Sequence, residues 1–316
     1  MTLFGKSIMQ GNRNIQIEGL RGIAILMVVV YHIFCRYQQI YLSETIEWME
    51  RFGAYAVNLF FLMSGYFLGQ RTNFVKKIIR LWPSYVVGVL LSVVLLAFFP
   101  LPNKEINFIQ VLTNVFFING FIKIPYVDGA HWYVHTLIIM FFWGILIRHR
   151  NFIFLIAWIV GAVVAECADV RIISHFLGGK YVGCFVCGMA LRNFLDEPGK
   201  RWLGVLAFAV AGVFVGQSIL FGTIFIVSLF VLYLCIKGKL KLLGTKILCF
   251  LGLISYPLYV VHQNLAYVVL HYLTPMIGFA WATLVSFFVC ISMGAVLFWL
   301  VENNVHVLLR VCKKND

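Results

Sequence analysis

Long apolar runs alternate with short polar joints along this chain. Runs long enough to span a bilayer, or nearly so, fall at 16–36, 53–70, 82–100, 131–148, 152–168, 181–195, 202–216, 218–236, 249–271 and 277–301. A helix needs roughly 20 residues to cross the hydrocarbon of a bilayer, and no water is available there for unpaired backbone groups, so runs of this kind predict helices. A shorter run at 108–122 is ambiguous. The pattern predicts an all-α, polytopic transmembrane helical bundle of about ten spans plus one re-entrant or interfacial segment.

Charges gather in the joints and set the orientation. Lys6 and Arg13 precede the first run, and Arg71, Lys76, Lys77 and Arg80 follow the second, whereas the joint between them carries Glu44, Glu47, Glu50 and one Arg51. Cytoplasmic loops are rich in Lys and Arg, so the amino terminus is expected in the cytoplasm. A crossing at 108–122 would put Arg148 and Arg150 outside, and an interfacial segment there puts them inside; the second reading is adopted. Glu166, Asp169 and Arg171 then fall outside. Arg192, Lys200, Arg201, Lys237, Lys239, Lys241 and Lys246 fall inside, as do Arg310, Lys313 and Lys314, which makes the carboxyl terminus cytoplasmic too. No Pro/Gly/Ser-rich linker and no internal repeat interrupts the series, so residues 1–316 read as a single integral-membrane domain.

Composition agrees: 62% of residues are hydrophobic, only 12% are charged and the mean hydropathy is +0.94, more than a soluble core requires. The net charge of +13 could suit nucleic acid, but the basic residues lie in clusters between apolar runs, and no nucleic-acid partner is expected. Cys35, Cys184, Cys187, Cys235, Cys249 and Cys290 lie inside apolar segments and read as small core residues. The Cys184/Cys187 pair has CxxC spacing but no second pair to complete a metal site. The first run is too long for a signal peptide and lacks a small-residue cleavage site, so the first helix is expected to remain.

Candidate chemistry sits inside the apolar runs. In the stretch IEGLRGIAILMVVVYH, Arg21 and His32 are eleven residues apart, which is about three helical turns and ~16 Å along one face. Arg21 would lie near the cytoplasmic surface and His32 about three-quarters of the way across. Two readings stand: a functional path with a charge at its mouth and a buried imidazole, or an arginine snorkelling to headgroups and a histidine bonding a neighbouring helix. The pairing at this spacing favours the first. In KKIIRLWP, Lys77 and Arg80 are three apart and could face one anionic ligand, with Trp82 and Pro83 expected to form a boundary that directs Arg80; a positive-inside anchor is the alternative.

VNLFFLMSGYFLG places Asn58 near the outer end of the second run and Ser64-Gly65 at mid-depth, where a small pair lets another helix approach; no acid-base partner adjoins Ser64. In HWYVHT, His131 and His135 have i, i+4 zinc spacing, but the HExxH glutamate and a third ligand are missing. An outer polar rim with Trp132 and Tyr133 as interface aromatics is favoured, and no metal is expected. LISYPLYVVHQNL puts Tyr259 and His262 on one face, with His262 at a depth like that of His32 and a kink at Ser255-Tyr256-Pro257. Either two imidazoles line one cavity or His262 hydrogen-bonds a facing helix.

Taken in order, these motifs resemble the membrane acyltransferase 3 family, which includes bacterial surface-polysaccharide O-acetyltransferases. The likeness rests on Glu18-Gly19-Leu20-Arg21-Gly22 through His32, on FFLMSGYFLG, on Lys77 through Arg80 to Pro83, on HWY and on ISYPLYVVHQ, across essentially the whole length. The resemblance implies a multi-pass protein of the bacterial cytoplasmic membrane. It also implies acetyl-CoA as donor substrate with no tightly bound cofactor, and a surface glycan or lipid-linked sugar as acceptor. Arg21, Lys77 and Arg80 would bind the donor, and His32 would be the essential catalytic histidine. Lys77 stands where the family often has Arg, which weakens bidentate phosphate binding there. Many relatives carry a carboxyl-terminal hydrolase-like domain; none occurs up to Asp316, so the domain is expected to act alone or to hand its acyl group to a partner.

The chemistry is consistent with the residues themselves. A thioester is already activated, so transfer to a hydroxyl needs a base and the exclusion of water, and a histidine has suitable basicity. The pantetheine arm would thread inward to His32 while the hydroxyl arrives from the outer face. His262 is the second catalytic candidate, and Glu18, Tyr259 and Asn58 are supporting residues, with Glu18 orienting Arg21 or nearby backbone. A transporter or flippase for a lipid-linked or acylated substrate is the competing reading.

Overall fold

In the computed structural model, residues 14–42, 49, 51–68, 73–147 and 152–305 are described, and among them the regular structure is helical throughout. The helices are α1 (Ile15–Tyr41), α2 (Phe52–Tyr66), α3 (Phe74–Phe98), α4 (Phe108–Val115), α5 (Trp132–Ile147) and α6 (Phe152–Cys167). They continue as α7 (Arg171–Leu177), α8 (Val182–Asp196), α9 (Lys200–Gly216), α10 (Ile219–Ile236), α11 (Lys246–Leu253), α12 (Ser255–Ile277) and α13 (Phe279–Leu297). Side-chain caps begin several of them: the Asn14 side chain accepts from Gln16 and Ile17 N–H ahead of α1, Asn73 does the same for α3, and Ser218 and Thr245 cap α10 and α11.

Two helices organise the bundle. α12 is buried along most of its length and packs against α13, α3 and α1; α8 lies between α2 and α9. α10 and α13 present mostly exposed apolar faces, with Phe230, Trp281 and Phe288 outward, as helices do that meet lipid.

Six helical segments of the described residues are long and apolar enough to cross a membrane, or seven if α11 and α12 form one bent span. That measure does not reach the ten or so expected, for definite reasons. The 53–70 run yields α2, which is only 15 residues long. The 249–271 run is divided at Ile254, where α11 and α12 meet at 73°. Pro257, in the first turn of α12, has no N–H that such a turn would use. Lys6, Arg13, Glu44, Glu47, Glu50, Arg71, Arg148, Arg150, Arg310, Lys313 and Lys314, on which much of the orientation argument rests, lie outside the described residues.

The 108–122 run is not a crossing helix. α4 has eight residues, about 12 Å of helix, followed by turns. Asn114 holds the following loop onto it, donating to the Pro125 carbonyl at 3.0 Å and accepting from Val127 N–H at 3.1 Å. The boundary expected at Trp82-Pro83 is corrected: α3 runs straight through Pro83. Pro83 has no N–H to give Ile79, a loss that packed membrane helices tolerate. Lys77 and Arg80 are therefore on the first turns of a long helix, not in a loop.

Candidate active site

The site starts at a seam between α1 and α11 where backbones touch. A Cβ on Gly22 would run into the Leu248 carbonyl, and one on Gly252 into the Glu18 carbonyl. This contact leaves α12 starting beside the first turns of α1. Arg21 there donates from Nη2 to Ser255 Oγ at 2.8 Å and from Nη1 to Glu18 Oε2 at 3.2 Å. Glu18 thus holds one side of the guanidinium and Ser255 the other.

Arg21, Glu18, Lys77 and Arg80 share one cavity of about 380 Å³, brought together from α1 and α3. The Lys77 ammonium sits 4.4 Å from the Phe141 ring centre, a cation–π contact at the wall. Tyr133, Tyr256 and Tyr259 also line the space, as does Ser64. Glu302 completes it: nearly fully buried, it ends a π segment (Phe298–Glu302) after α13 and stands, like Arg80, within electrostatic reach of the Tyr256 hydroxyl. Sequence reading passed over Glu302, although it is the charged residue that directly follows the last apolar run, 277–301. Three cations against two carboxylates leave the cavity positive on balance, suited to an anionic ligand.

His32 and His262 do not line that cavity; they face each other, with ring centres 4.8 Å apart. His32 lies on a second π segment, Tyr31–Arg36, where Tyr37 N–H reaches the His32 carbonyl five residues back. A π turn widens the helix and re-aims its side chains, and such turns recur at functional sites. His32 is half-buried as a residue. Its Nδ1 is 3.3 Å from the Tyr267 hydroxyl. His262 donates from Nδ1 to the Tyr259 carbonyl at 2.7 Å, and the two rings are 5.4 Å apart. Tyr259, which donates its hydroxyl to the Ala130 carbonyl at 2.7 Å, is thus shared between the cavity wall and the histidine pair.

Two buried residues fix the His262 turn. Asp128 Oδ2 accepts from Asn264 N–H at 2.9 Å, and His131 Nε2 donates to the Val260 carbonyl at 2.9 Å. These are the two backbone groups that a regular helix pairs with each other. Asp128 Oδ1 also accepts from Ala130 N–H at 2.9 Å. Asp128→Ala should destabilise the protein by about 2–5 kcal/mol, because two buried N–H groups lose their acceptor. Thermal unfolding of the detergent-solubilised protein checks this, and an unchanged transition contradicts it.

These features bear on a comparison with known proteins. Residues 14–302 match the acyltransferase 3 family, described as an acyltransferase domain. The chain belongs to this family. The match begins at the α1 cap and ends at Glu302, so it spans both π segments and the whole cavity. No curated protein and no solved structure matches the chain significantly. With its apolar helices, this acyltransferase is a multi-pass membrane protein.

Other expected residues of the acyltransferase lie elsewhere. Asn58 is buried but away from the cavity, donating to Gln217 Oε1 at 2.9 Å. His131 and His135 turn to different neighbours, His135 to the Tyr126 hydroxyl at 3.1 Å and to His175, whose ring centre is 4.8 Å away. Among the described residues no group of three or more His, Cys, Asp or Glu side chains is placed to hold a metal. Ser64-Gly65 packs closely, since a Cβ on Gly65 would meet the Phe185 carbonyl of α8.

Proposed function

We propose that this acyltransferase moves an acetyl group from cytoplasmic acetyl-CoA to a hydroxyl of an extracytoplasmic glycan or lipid-linked sugar, with His32 as general base. The observation that carries the reading is the sequence of parts along the α1 axis: a cationic cavity, its Tyr259 wall, and the His262–His32 pair behind that wall. Arg21, Lys77 and Arg80 would engage the anionic phosphates of coenzyme A, with Glu18 keeping Arg21 in place. The reading takes the amino and carboxyl termini as cytoplasmic in a bacterial inner membrane, with the shorter apolar helices completing about ten crossings.

The reaction would then run as follows. Nδ1–H of His32 donates to the Tyr267 oxygen, which leaves the Nε2 lone pair as the base. Nε2 takes the proton of the acceptor hydroxyl as its oxygen attacks the thioester carbonyl carbon. The carbon–sulfur bond breaks, coenzyme A leaves as a thiolate, and the imidazolium returns the proton to sulfur, so that ester and free thiol are formed. His262, held by its own bond to Tyr259, packs against the working imidazole and fixes its place.

Membranes containing the wild-type protein, given acetyl-labelled acetyl-CoA, should label the glycan fraction above membranes without it. Label that stays with coenzyme A, together with substrate flux across sealed vesicles, would favour transport. Arg21→Ala should raise the acetyl-CoA KM roughly 10- to 100-fold, the value of losing one charge-assisted phosphate contact. An unchanged donor KM would remove Arg21 from the donor site.

A further inference from the structure

The Arg21 end of the bundle carries a strip of exposed cations that the transfer chemistry does not use. α10 ends at Ile236, Gly238 turns the chain with a φ of 71°, and Lys237, Lys239, Lys241 and Lys246 follow, all of them exposed. No Asp or Glu occurs from 198 to 301, and among the described residues none of the four ammonium groups meets a carboxylate. Glu18, whose carbonyl abuts α11 at Gly252, is already held by Arg21. Lys237 stands 5.7 Å from the Tyr233 ring centre, a contact that leaves its charge uncancelled. Other exposed cations differ: Arg192 pairs with Asp196 at 2.7 Å and Arg201 with Glu197 at 3.3 Å.

Apolar side chains stand among these lysines. Leu242 is 87% exposed and Ile247 73%, whereas Leu240 and Leu243 pack inward onto the core. α11 meets α12 at 73°, so with α12 crossing the bilayer α11 lies close to the plane of its surface. A segment in that plane, with a leucine and an isoleucine to bury and lysines beside them, matches the boundary between acyl chains and phosphates. An anionic headgroup supplies the counter-charge that the chain itself does not, and each lysine near such a surface adds to the attraction.

The strip is also tied to the start of α1. Gln16 Oε1 accepts from Leu240 N–H at 2.8 Å, Asn14 Nδ2 donates to the Cys235 carbonyl at 2.9 Å, and Cys249 Sγ donates to the Ile15 carbonyl at 3.4 Å. A Cβ on Gly19 would run into the Leu243 carbonyl, so backbones touch here as well. Whatever holds the strip therefore holds the first turns of α1. We infer that residues 237–247 form a docking surface for the headgroups of anionic phospholipids, and that their binding stabilises the fold through α1. This inference is independent of the transfer reading above.

Thermal unfolding of the full-length protein in a neutral detergent, with added dioleoylphosphatidylglycerol or dioleoylphosphatidylcholine, tests it. Phosphatidylglycerol should raise the unfolding temperature above the phosphatidylcholine value by roughly 2–4 °C or more, the response of a large domain to one such contact. The difference should largely vanish in about 1 M salt, which screens charges beyond ~3 Å. Lys239→Gln with Lys241→Gln should lose much of the difference, and Lys239→Arg with Lys241→Arg should keep it. Leu242→Ser should weaken it, and inorganic phosphate should not reproduce it. Arg192→Gln with Arg201→Gln removes the same number of cations from paired positions and should leave the difference in place. Equal losses in the two glutamine pairs would make the response one of net charge and overturn the docking surface, as would equal effects of the two lipids on the wild type. If the lysine variants do not fold, the lipid and salt comparisons on the wild type decide: a difference indifferent to salt overturns the proposal.

Discussion

Replacing His32 with alanine should lower acetyl transfer by roughly 10²- to 10⁴-fold, the usual contribution of a general base, while acetyl-CoA binding and folding persist. The split follows from the placement. The cavity proposed for the donor is lined by Arg21, Lys77 and Arg80 and not by His32, so donor affinity should be insensitive to the change. Among the described residues the imidazole has a hydrogen-bonding neighbour in Tyr267, so its loss leaves that hydroxyl to re-pair. His32→Gln preserves a polar side chain but cannot accept and return a proton at the same atom, and should fall with alanine. His262→Ala should lower the rate less, because His262 acts on His32 through packing and already spends Nδ1 on the Tyr259 carbonyl. The check is turnover of labelled acetyl-CoA into glycan at saturating donor, alongside donor binding measured separately. If His32→Gln retained wild-type turnover, the base would have to be another group, and the π segment at Tyr31–Arg36 would be a packing feature.

Much of this arrangement is legible in the amino-acid sequence. Spacing along one helix places Arg21 and His32 at different depths, and that axial information survives because α1 is regular up to Val30. Lys77, Arg80 and Arg21 can be grouped because charge in apolar surroundings has few acceptable positions. What stays hidden is azimuth and contact. The widening of α1 at the very turn that carries His32 has no local signature, since Tyr31 through Arg36 could equally continue an α-helix. Trp82-Pro83 reads as a boundary by propensity, yet packing carries α3 through it. Asp128 and His131 reach backbone groups of α12 more than 125 residues away, and no local spacing announces such pairs. Glu302 is visible only as a lone carboxylate after the last apolar run; its place in the same cavity as Arg21 depends on how α13 returns against α12.

The glycines of the α1–α11 seam lead to the second large expected effect. Gly252→Ala should destabilise the protein by about 3 kcal/mol or more and impair donor binding in whatever protein remains folded. Alanine is the better helix former, so local propensity predicts the opposite sign, a gain of roughly 0.5–1 kcal/mol. Contact decides between them. The added Cβ would overlap the Glu18 carbonyl, and a backbone oxygen, unlike a side-chain end, cannot swing aside. The two helices must part, and at Gly22 the same holds against the Leu248 carbonyl. Parting them draws α1 from the start of α12, where Ser255 accepts from Arg21, so the acetyl-CoA KM should rise together with the loss of stability. Gly204 on α9 is the internal control: a Cβ there meets nothing within 4 Å, and Gly204→Ala should be neutral or slightly stabilising. Thermal unfolding of both variants in detergent, with donor KM measured on the same preparations, tests the pair. Equal unfolding temperatures for Gly252→Ala and Gly204→Ala would mean that the seam has slack, and that the position of Arg21 is set by Glu18 and Ser255 alone.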